Sequence, residues 1–439
     1  MAGIRRRSDP AEAGGPAYAG PPRRRYPSVT VSLRLKPDLS ASPLRRREFR
    51  LYFIGNLTSN VGSWISNVAF AVYIHDLTGS SFWVGMVGLS LFVPTLLFAL
   101  PAGALADRFD RLRLLRSAQI LMATLAGMLT IAVATGNATR ELVVLAAAGI
   151  GVGISVGIPV MQALIPTLVP HEEMGDAIRL NALTFNVARV LGPTLAALVL
   201  GTLGPAWAFG INAVSFAAIV AALTMIGRVP YPRVADRSPG PIREGIAYAW
   251  RHLRTRWMLL SIVAIGIALD PIVTLAPAIS ARLGVAGGGA GYVVGSWGAG
   301  AVVTILVGRR LIVVATERGL GWIALVVLFA GVSIVGLAPA FPVVLLGGLV
   351  AGGGYIVATM AFTTVIQADV PESLRGRVSA LWSLAFLGPR AFASVGVGAL
   401  ADAAGTRVSS LSFAVVALGA AVLLRHVSPP HAEPVSPPA

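Results

Sequence analysis

Twelve long apolar stretches constrain the fold of this chain more than any other feature of its sequence. A helix that crosses the hydrocarbon layer of a bilayer needs roughly 20 mainly apolar residues. A soluble core does not require twelve helices that are apolar on every face. The sequence therefore predicts an all-α membrane protein with twelve transmembrane helices. The predicted spans are residues 51–74, 82–105, 115–135, 142–168, 178–203, 205–226, 257–281, 289–307, 320–338, 341–367, 378–401 and 407–424.

The positions of the basic residues support this count. Charged residues make up 12% of the chain, whereas a soluble domain carries roughly 25%, and yet the net charge is +16. Thirty of the 35 Lys and Arg residues lie in the two tails and in alternate loops, and basic loops face the cytoplasm. We therefore expect a multi-pass protein of the cell inner membrane with both termini in the cytoplasm. This basicity reflects topology, so we expect no nucleic-acid partner.

Composition divides the chain into five segments. We expect residues 1–49 and 427–439 to be disordered tails, because they are polar, rich in proline and without an apolar period. Residues 50–226 and 257–426 are predicted to form two six-helix bundles. The cytoplasmic linker, 227–256, includes a stretch with one apolar face, which favours a short helix on the membrane surface. That face consists of Ile242, Ile246, Trp250 and Leu253.

Short sequence strings recur at equivalent positions in successive groups of three spans, which we call triplets. The string GALAD occurs at 103–107, where it closes span 2, and at 398–402, where it closes span 11. Both spans are the second helix of a triplet, but they end on opposite sides of the membrane. The opposite placement of the GALAD strings indicates inverted three-helix repeats, an architecture used for alternating access. Gly-Pro pairs at 192–193 and 388–389 lie in spans 5 and 11, which are equivalent helices of the two halves.

The segment GALADRFDRLR at 103–113 resembles the signature loop between helices 2 and 3 of major facilitator superfamily transporters. The resemblance covers roughly residues 44–425 and implies the superfamily fold. It also implies a conformational latch, in which an aspartate faces a helix N-terminus of the other half and arginines add hydrogen-bond donors. Asp110 stands where the signature usually has glycine. The latch residues are Gly103, Asp107, Arg108, Arg111 and Arg113.

Further strings resemble one branch of that superfamily, the enterobactin-exporter and macrolide-efflux-like proteins, also called transmembrane secretion effectors. The strings are FRLYFIGN at 49–56, LTGS at 77–80, the span 5 pattern from Asn181 to Pro193, and RGR at 375–377. The branch implies export of small, partly apolar molecules such as drugs, antibiotics or siderophore-like natural products, with proton antiport as the drive. Alanines replace the glycines that usually flank the Gly-Pro pair of span 5, and span 4 lacks the arginine common in antiporters.

Asp270 is the acid that lies deepest within a predicted span, and Pro271 follows it. An ionisable residue at this depth marks a functional site by default. We interpret it as a carrier of the coupled proton or a substrate contact, with a purely structural ion pair as the alternative. Arg189 in span 5 and Arg390 in span 11 occupy equivalent positions of the two halves. Either arginine is a candidate partner for Asp270 or for an anionic group of the substrate.

Two spans carry polar stripes at helical spacing. Unpaired polar groups are costly in lipid, and residues four apart share one helix face. We therefore expect the stripes to line a central cavity, with hydrogen bonding between helices as the alternative. The stripe in span 1 is Tyr52, Asn56, Asn60, Ser63 and Asn67, and the stripe in span 10 is Tyr355, Thr359, Thr363 and Gln367.

These features favour a secondary-active transporter over an intramembrane enzyme. The branch resemblance alone favours an exporter over an importer of a small metabolite with the same fold. The chain has no cysteine, and its five histidines lie at span ends, loops or tails, so we expect neither catalysis nor a metal or other cofactor. The single lysine, Lys36, lies in the N-terminal tail, which excludes a P-loop in the body of the chain and hence ATP as a ligand. We expect a monomer that contacts a small-molecule substrate and the bilayer and uses a proton gradient.

Overall fold

The computed structural model of the chain describes residues 42–227, 242–285, 287–308 and 321–427. The predicted tail up to residue 41, residues 228–241 of the linker and the tail after 427 lie outside this description. The described part contains fourteen α-helices. They are α1 Arg47–Thr78, α2 Ser81–Arg108, α3 Arg111–Ala134, α4 Arg140–Leu168, α5 Met174–Thr202, α6 Pro205–Ile226, α7 Ile242–Arg251, α8 Leu253–Thr274, α9 Ala276–Arg282, α10 Gly289–Val307, α11 Gly321–Leu337, α12 Phe341–Asp369, α13 Glu372–Ala404 and α14 Thr406–Val427.

Every one of the twelve predicted spans lies on helix, and most ends agree within a few residues. Ten of the described helices are long and apolar enough to cross a membrane. The two remaining spans are α1, whose hydropathy is lowered by its polar stripe, and α11, which is apolar but has 17 residues. The prediction of an all-α membrane protein is confirmed.

The seventh span differs from its prediction, because the single helix expected over 257–281 is broken at Leu275. Helix α8 ends at Thr274 and the short helix α9 begins at Ala276. Pro277 has no amide hydrogen to donate to the carbonyl four residues back, so an unbroken helix would lose a hydrogen bond there. The backbone amide of Leu275 still donates to the Pro271 oxygen at 3.0 Å. The break therefore follows one turn after Pro271.

The N-terminal boundary also differs from its prediction, since ordered structure begins before residue 49. Ser42 caps a 3₁₀ turn over Pro43–Arg45, and α1 starts at Arg47. Phe49, which the sequence placed at the end of the disordered tail, is fully buried. Its ring lies 6.4 Å from that of Phe53. Burial of this aromatic ring is favourable enough to extend the helix by one turn beyond the predicted span.

We call helices α1–α6 the first half of the bundle and helices α8–α14 the second half. In the first half α1 packs against α5 and α6, and α2 against α4; in the second, α12 packs against α10 and α11, and α8 against α13 and α14. We call the end of the bundle at which α1 begins and α14 ends the proximal face, and the opposite end the distal face. The division into two bundles at the predicted residue boundaries stays a prediction.

The two halves meet along α2 with α13 and along α5 with α10. Glycines permit this approach, because a Cβ atom on Gly398 would collide with the Ser81 carbonyl, and one on Gly85 with the Ser394 carbonyl. Gly291 lies in the same way against the backbone of Ala197. Close packing of this kind is what small residues provide between membrane helices. All these positions lie in the distal parts of their helices, so the halves are tightly packed toward the distal face.

Helix α7 occupies part of the segment for which a surface helix was predicted. One side of it packs on the second half, where the Tyr248 hydroxyl donates to the Asp369 backbone oxygen at 2.9 Å. The apolar side chains of Ile246 and Trp250 are 48% and 68% exposed. A helix with this arrangement suits the membrane interface, and its contact with lipid stays a prediction.

Candidate functional site

A buried ion pair lies within the second half. The side chain of Asp270 on α8 is 2% exposed and that of Arg390 on α13 is 9% exposed, and Arg390 Nε lies 3.4 Å from Asp270 Oδ1. Thr274, one turn further along α8, donates to Asp270 Oδ2 at 2.6 Å. The guanidinium carbon of Arg390 also lies 5.3 Å from the centre of the Phe92 ring on α2. Arg390 thus connects the buried carboxylate to the opposite half.

The other sequence candidate, Arg189, is not part of this pair. It lies on α5 and is 4% exposed. Its guanidinium donates to Asn186 Oδ1 at 2.8 Å and, across the boundary between the halves, to the Tyr355 hydroxyl at 3.2 Å. It also lies 5.5 Å from the centre of the Trp297 ring. The two arginines are equivalent in sequence but have different surroundings.

A row of aromatic rings runs from this arginine through both halves. Trp64 on α1 lies 6.2 Å from Trp297 on α10, and Trp297 lies 5.3 Å from Tyr355 on α12. Tyr355 lies 6.2 Å from Phe386 on α13, which stacks on Trp382 at 5.7 Å. We call these five residues the aromatic row. The sequence analysis identified only Tyr355, because isolated aromatic residues in apolar spans give no signal that distinguishes a shared site from ordinary packing.

The stripe of α1 mainly joins α1 to α5. The Tyr52 hydroxyl donates to Asn181 Oδ1 at 2.9 Å, and the Asn56 amide donates to the same oxygen at 3.0 Å and to Thr184 Oγ1 at 3.1 Å. Asn60 donates to the Asn56 backbone oxygen at 2.9 Å. The remaining stripe residues are half-buried. They are Ser63 and Asn67.

The stripe of α12 changes from buried to exposed along the helix. Tyr355 and Thr359 are 6% and 9% exposed, Thr363 is half-buried, and Gln367 is exposed near the proximal end. The Thr363 hydroxyl donates to the Thr359 backbone oxygen. This gradient describes a polar track that starts at the proximal face and ends at Arg189 and the aromatic row.

The predicted latch is partly outside the description, because the side chains at 102–108, including those of Gly103, Asp107 and Arg108, are not described. Arg111 donates to the Ala163 backbone oxygen on α4 at 2.7 Å. Asp110, the departure from the signature, caps α3 by accepting a hydrogen bond from the Arg113 amide at 2.8 Å. The side chain of Arg113 is exposed.

The second copy of the GALAD string forms a contact between the halves at the distal face. Asp402, at the end of α13, accepts hydrogen bonds from the Ser80 hydroxyl at 2.5 Å, the Ser81 amide at 2.8 Å and the Phe82 amide at 3.0 Å. These amides belong to the first turn of α2, where the positive end of the helix dipole favours an anion. We call this contact the distal clamp. The sequence analysis used Asp402 only as the sign of a repeat and missed the contact.

A cavity of about 890 Å³ lies elsewhere, between α1, α3, α5 and α6. Trp207 and Val214 on its rim are 61% and 69% exposed, so it opens sideways, away from the boundary between the halves. No charged residue lines it. Its position and apolar lining suit lipid chains, whereas the charged and aromatic groups gather at the boundary between the halves.

Solved structures with the same architecture show which fold this is. A bacterial homologue of the human lysosomal transporter Spinster, in an inward-facing and unoccupied conformation, matches with a TM-score of 0.71 at 14% identity, over 87% of this chain and 96% of the other. A point mutant of the nucleoside transporter NupG matches with a TM-score of 0.71 at 12% identity, over 87% of this chain and all of the other. The fold is that of the major facilitator superfamily of transporters.

The sequence identifies the family within that class. The family model described as "Transmembrane secretion effector" matches residues 39–435. The enterobactin exporter EntS of Shigella boydii serotype 18 is 25% identical over 396 residues, which is 86% of this chain and 91% of the relative. EntS of Citrobacter koseri is 25% identical over 76% of this chain and 80% of its own length. The chain belongs to the transmembrane secretion effector family; it is a multi-pass membrane protein and a secondary transporter.

Proposed function

We propose that this transporter exports small, partly apolar molecules from the cytoplasm by alternating access, with the entry of protons as the drive. In this proposal the proximal face is the cytoplasmic face, because α1 begins and α14 ends there and the basic segments of the sequence adjoin helix ends on that side. The direction of transport rests on the family and on relatives named as exporters of enterobactin. Those relatives are 25% identical to this chain, so their substrate is not assigned to it.

The observation that carries the proposal is the buried pair of Asp270 and Arg390. A carboxylate and a guanidinium held together out of water bind each other strongly only while the carboxylate is charged. When a proton neutralises Asp270, Arg390 loses its counter-charge and its contacts with α8 weaken. Because Arg390 also touches Phe92 on the other half, the proton on Asp270 is coupled to the way in which α13 and α2 pack.

The way in which the halves pack indicates which side of the transporter is closed in this conformation. The distal clamp and the close approaches of α2 with α13 and of α5 with α10 hold the distal side shut. The polar track on α12 becomes exposed only toward the proximal face. Under the proposed orientation the protein is therefore open toward the cytoplasm, ready to bind a substrate for export.

Everted membrane vesicles that contain the protein test the proposal through Asp270. Candidate substrates are first identified as compounds whose addition dissipates an imposed pH gradient only in vesicles with the wild-type protein. We expect Asp270→Asn to abolish accumulation of such a substrate against its gradient, while exchange of labelled for unlabelled substrate at equal concentrations continues. The matched control is Asp176→Asn, an exposed acid on α5 that pairs with Arg179.

The expected outcome separates coupling from folding, because exchange requires a folded protein but no proton. Gradient-driven accumulation by Asp270→Asn at the wild-type rate would contradict the proposed role. Accumulation only in right-side-out vesicles would show that the protein is an importer.

A further inference from the structure

Resting on the proposed function, we infer that the substrate carries an anionic group attached to an aromatic ring, and that Arg189 and the aromatic row bind this part of it. The inference assigns different roles to the two buried arginines. Arg390 is the partner of Asp270 in coupling, and Arg189 is the residue that binds the anion.

The balance of buried charge supports this assignment. Among the described residues, the charged side chains that are buried are Arg189, Asp270 and Arg390. Asp270 is occupied by Arg390, and no described Asp or Glu forms a salt bridge with Arg189. A charge inside a membrane protein without a counter-charge is costly and marks a site of function. An anionic ligand would supply the missing counter-charge.

The buried hydrogen-bond donors that have no partner also favour an anionic ligand. Within the described part of the chain, Arg189 Nε is buried without a hydrogen-bond partner, and the indole nitrogens of Trp297 and Trp382 are likewise buried and unpaired. All three are donors only. Tyr355 accepts a hydrogen bond from Arg189, which leaves its own hydroxyl hydrogen for another acceptor. A carboxylate or phenolate oxygen would satisfy such donors, whereas a cationic ligand would not.

The aromatic row supplies a surface for a planar ring. Neighbouring rings lie 5.3 to 6.2 Å apart, within the range in which aromatic groups interact favourably. The row includes Trp64 of the first half and four rings of the second, so one ligand would contact both halves. A ligand that contacts both halves binds most tightly to the conformation in which the halves close around it. Binding therefore shifts the balance between the two alternating conformations.

The site is reached from the proximal side. The α12 track leads from exposed Gln367 through Thr363 to buried Thr359 and Tyr355, and the Thr359 hydroxyl oxygen has no hydrogen-bond partner among the described residues. The course of the α12 track therefore suits the entry of a polar group from the proximal face.

Isothermal titration calorimetry on the full-length protein in lipid nanodiscs tests the inference. The probes are benzoate and 1-naphthoate, each compared with its neutral amide. We expect 1-naphthoate to bind saturably, benzoate more weakly, and both amides at least about tenfold more weakly than their carboxylates. Arg189→Gln should weaken 1-naphthoate binding by about tenfold or more. Arg189→Lys should retain an intermediate affinity, because it keeps the charge but loses the planar guanidinium.

Arg179→Gln is the matched control, since Arg179 lies on the same helix with an exposed side chain, and it should bind like the wild type. Size-exclusion chromatography establishes that each variant is folded, and Arg189→Lys provides the test if Arg189→Gln is not. Equal binding of carboxylate and amide, wild-type binding by the Arg189 variants, or no saturable binding of either carboxylate up to about 10 mM would overturn the inference.

The result is distinguishable from failure of the proposed function. In Asp270→Asn the binding of 1-naphthoate should still depend on Arg189, because this substitution leaves the guanidinium and the aromatic row in place. Loss of coupling in vesicles together with binding that does not depend on Arg189 would overturn the substrate class alone. Arg189-dependent binding together with gradient-driven transport by Asp270→Asn would overturn the proton role alone.

Discussion

Asp270 is held by one residue of its own helix and one of a neighbouring helix, so its surroundings respond to movement of α13 relative to α8. Thr274 satisfies one carboxylate oxygen and Arg390 the other. Removing one member of such a pair leaves a buried charge without compensation, whereas removing both leaves none. A variant that lacks one member of the pair should therefore be less stable than a variant that lacks both.

We predict that Arg390→Gln lowers the stability of the purified protein by about 3–5 kcal/mol, because it leaves Asp270 as an unpaired buried charge. The double variant Asp270→Asn, Arg390→Gln should recover most of that loss. Thermal unfolding in detergent, followed by scattering and intrinsic fluorescence, measures both. Additive effects of the two substitutions would show that the side chains do not interact.

A second prediction concerns the polar stripe of α1. Asn56→Ala should destabilise the first half by about 1–3 kcal/mol, because Asn181 and Thr184 would lose a buried hydrogen-bond partner. Thr58→Ala, two residues further along α1 at an exposed position, should change the unfolding temperature little. If the two variants unfolded at the same temperature, the α1 stripe would not be a structural contact between helices.

Sequence reasoning identified Asp270, Arg189 and Arg390 but could not choose between the arginines. The spacing of residues within one helix fixes which of them share a face, but not which face of another helix lies opposite. Pairing Asp270 with Arg390 depends on the rotation of α8 and α13 about their own axes. The same limit hid the aromatic row, whose rings come from four different helices.

Among the elements, α2 and α13 carry the main contact between the halves. Small residues bring their backbones together, and Asp402 closes the distal end by capping α2. A side chain that caps a helix N-terminus contributes roughly 0.5–2 kcal/mol. Energies of this size are enough to change the ratio of two conformations about tenfold, since about 1.4 kcal/mol corresponds to that factor.

We therefore predict that Asp402→Asn shifts the protein toward the conformation that is open at the distal face, by about two- to fivefold in the ratio of states, because the amide still caps α2 but lacks the negative charge that a helix N-terminus favours. The reaction rate of a maleimide with a single cysteine introduced at Ser394, which is buried between α13 and α2, reports this opening. The control is Asp76→Asn, an exposed acid near the same face. Unchanged labelling in Asp402→Asn would show that the distal clamp does not hold the closed state.

The helices themselves were largely predictable, because length and hydropathy are properties of contiguous sequence. A helix lies at each of the twelve predicted spans, and α10 and α6 match their predicted limits. The break after Thr274 was not predicted, because a proline inside a membrane helix either bends it or ends it, and neighbouring helices decide which. The early start of α1 was missed because burial of Phe49 depends on packing against other helices.

On the scale of the whole molecule, two helical halves meet closely at one end and expose a polar track toward the other. The all-α membrane architecture was predictable from the sequence, and similarity to solved transporters confirms the fold; the inverted repeats stay a prediction. Which end is closed was not predictable from sequence, because both ends carry related strings and a sequence does not specify one state of a two-state molecule.

Distances between spin labels on the two halves test the central claim most directly, and the chain offers no native cysteine to interfere. One pair, at Leu77 and Ala403, reports the distal face; the other, at Phe109 and Arg375, reports the proximal face, and all four positions are exposed. Electron–electron double resonance in nanodiscs would be recorded at high and low pH, with and without Asp270→Asn.

The account predicts that the two distances change in opposite directions, the distal pair lengthening as the proximal pair shortens. It also predicts that the response to pH disappears in Asp270→Asn. Distances that stay fixed, that change together, or that respond to pH equally in the variant would contradict a transporter whose two halves alternate under the control of Asp270.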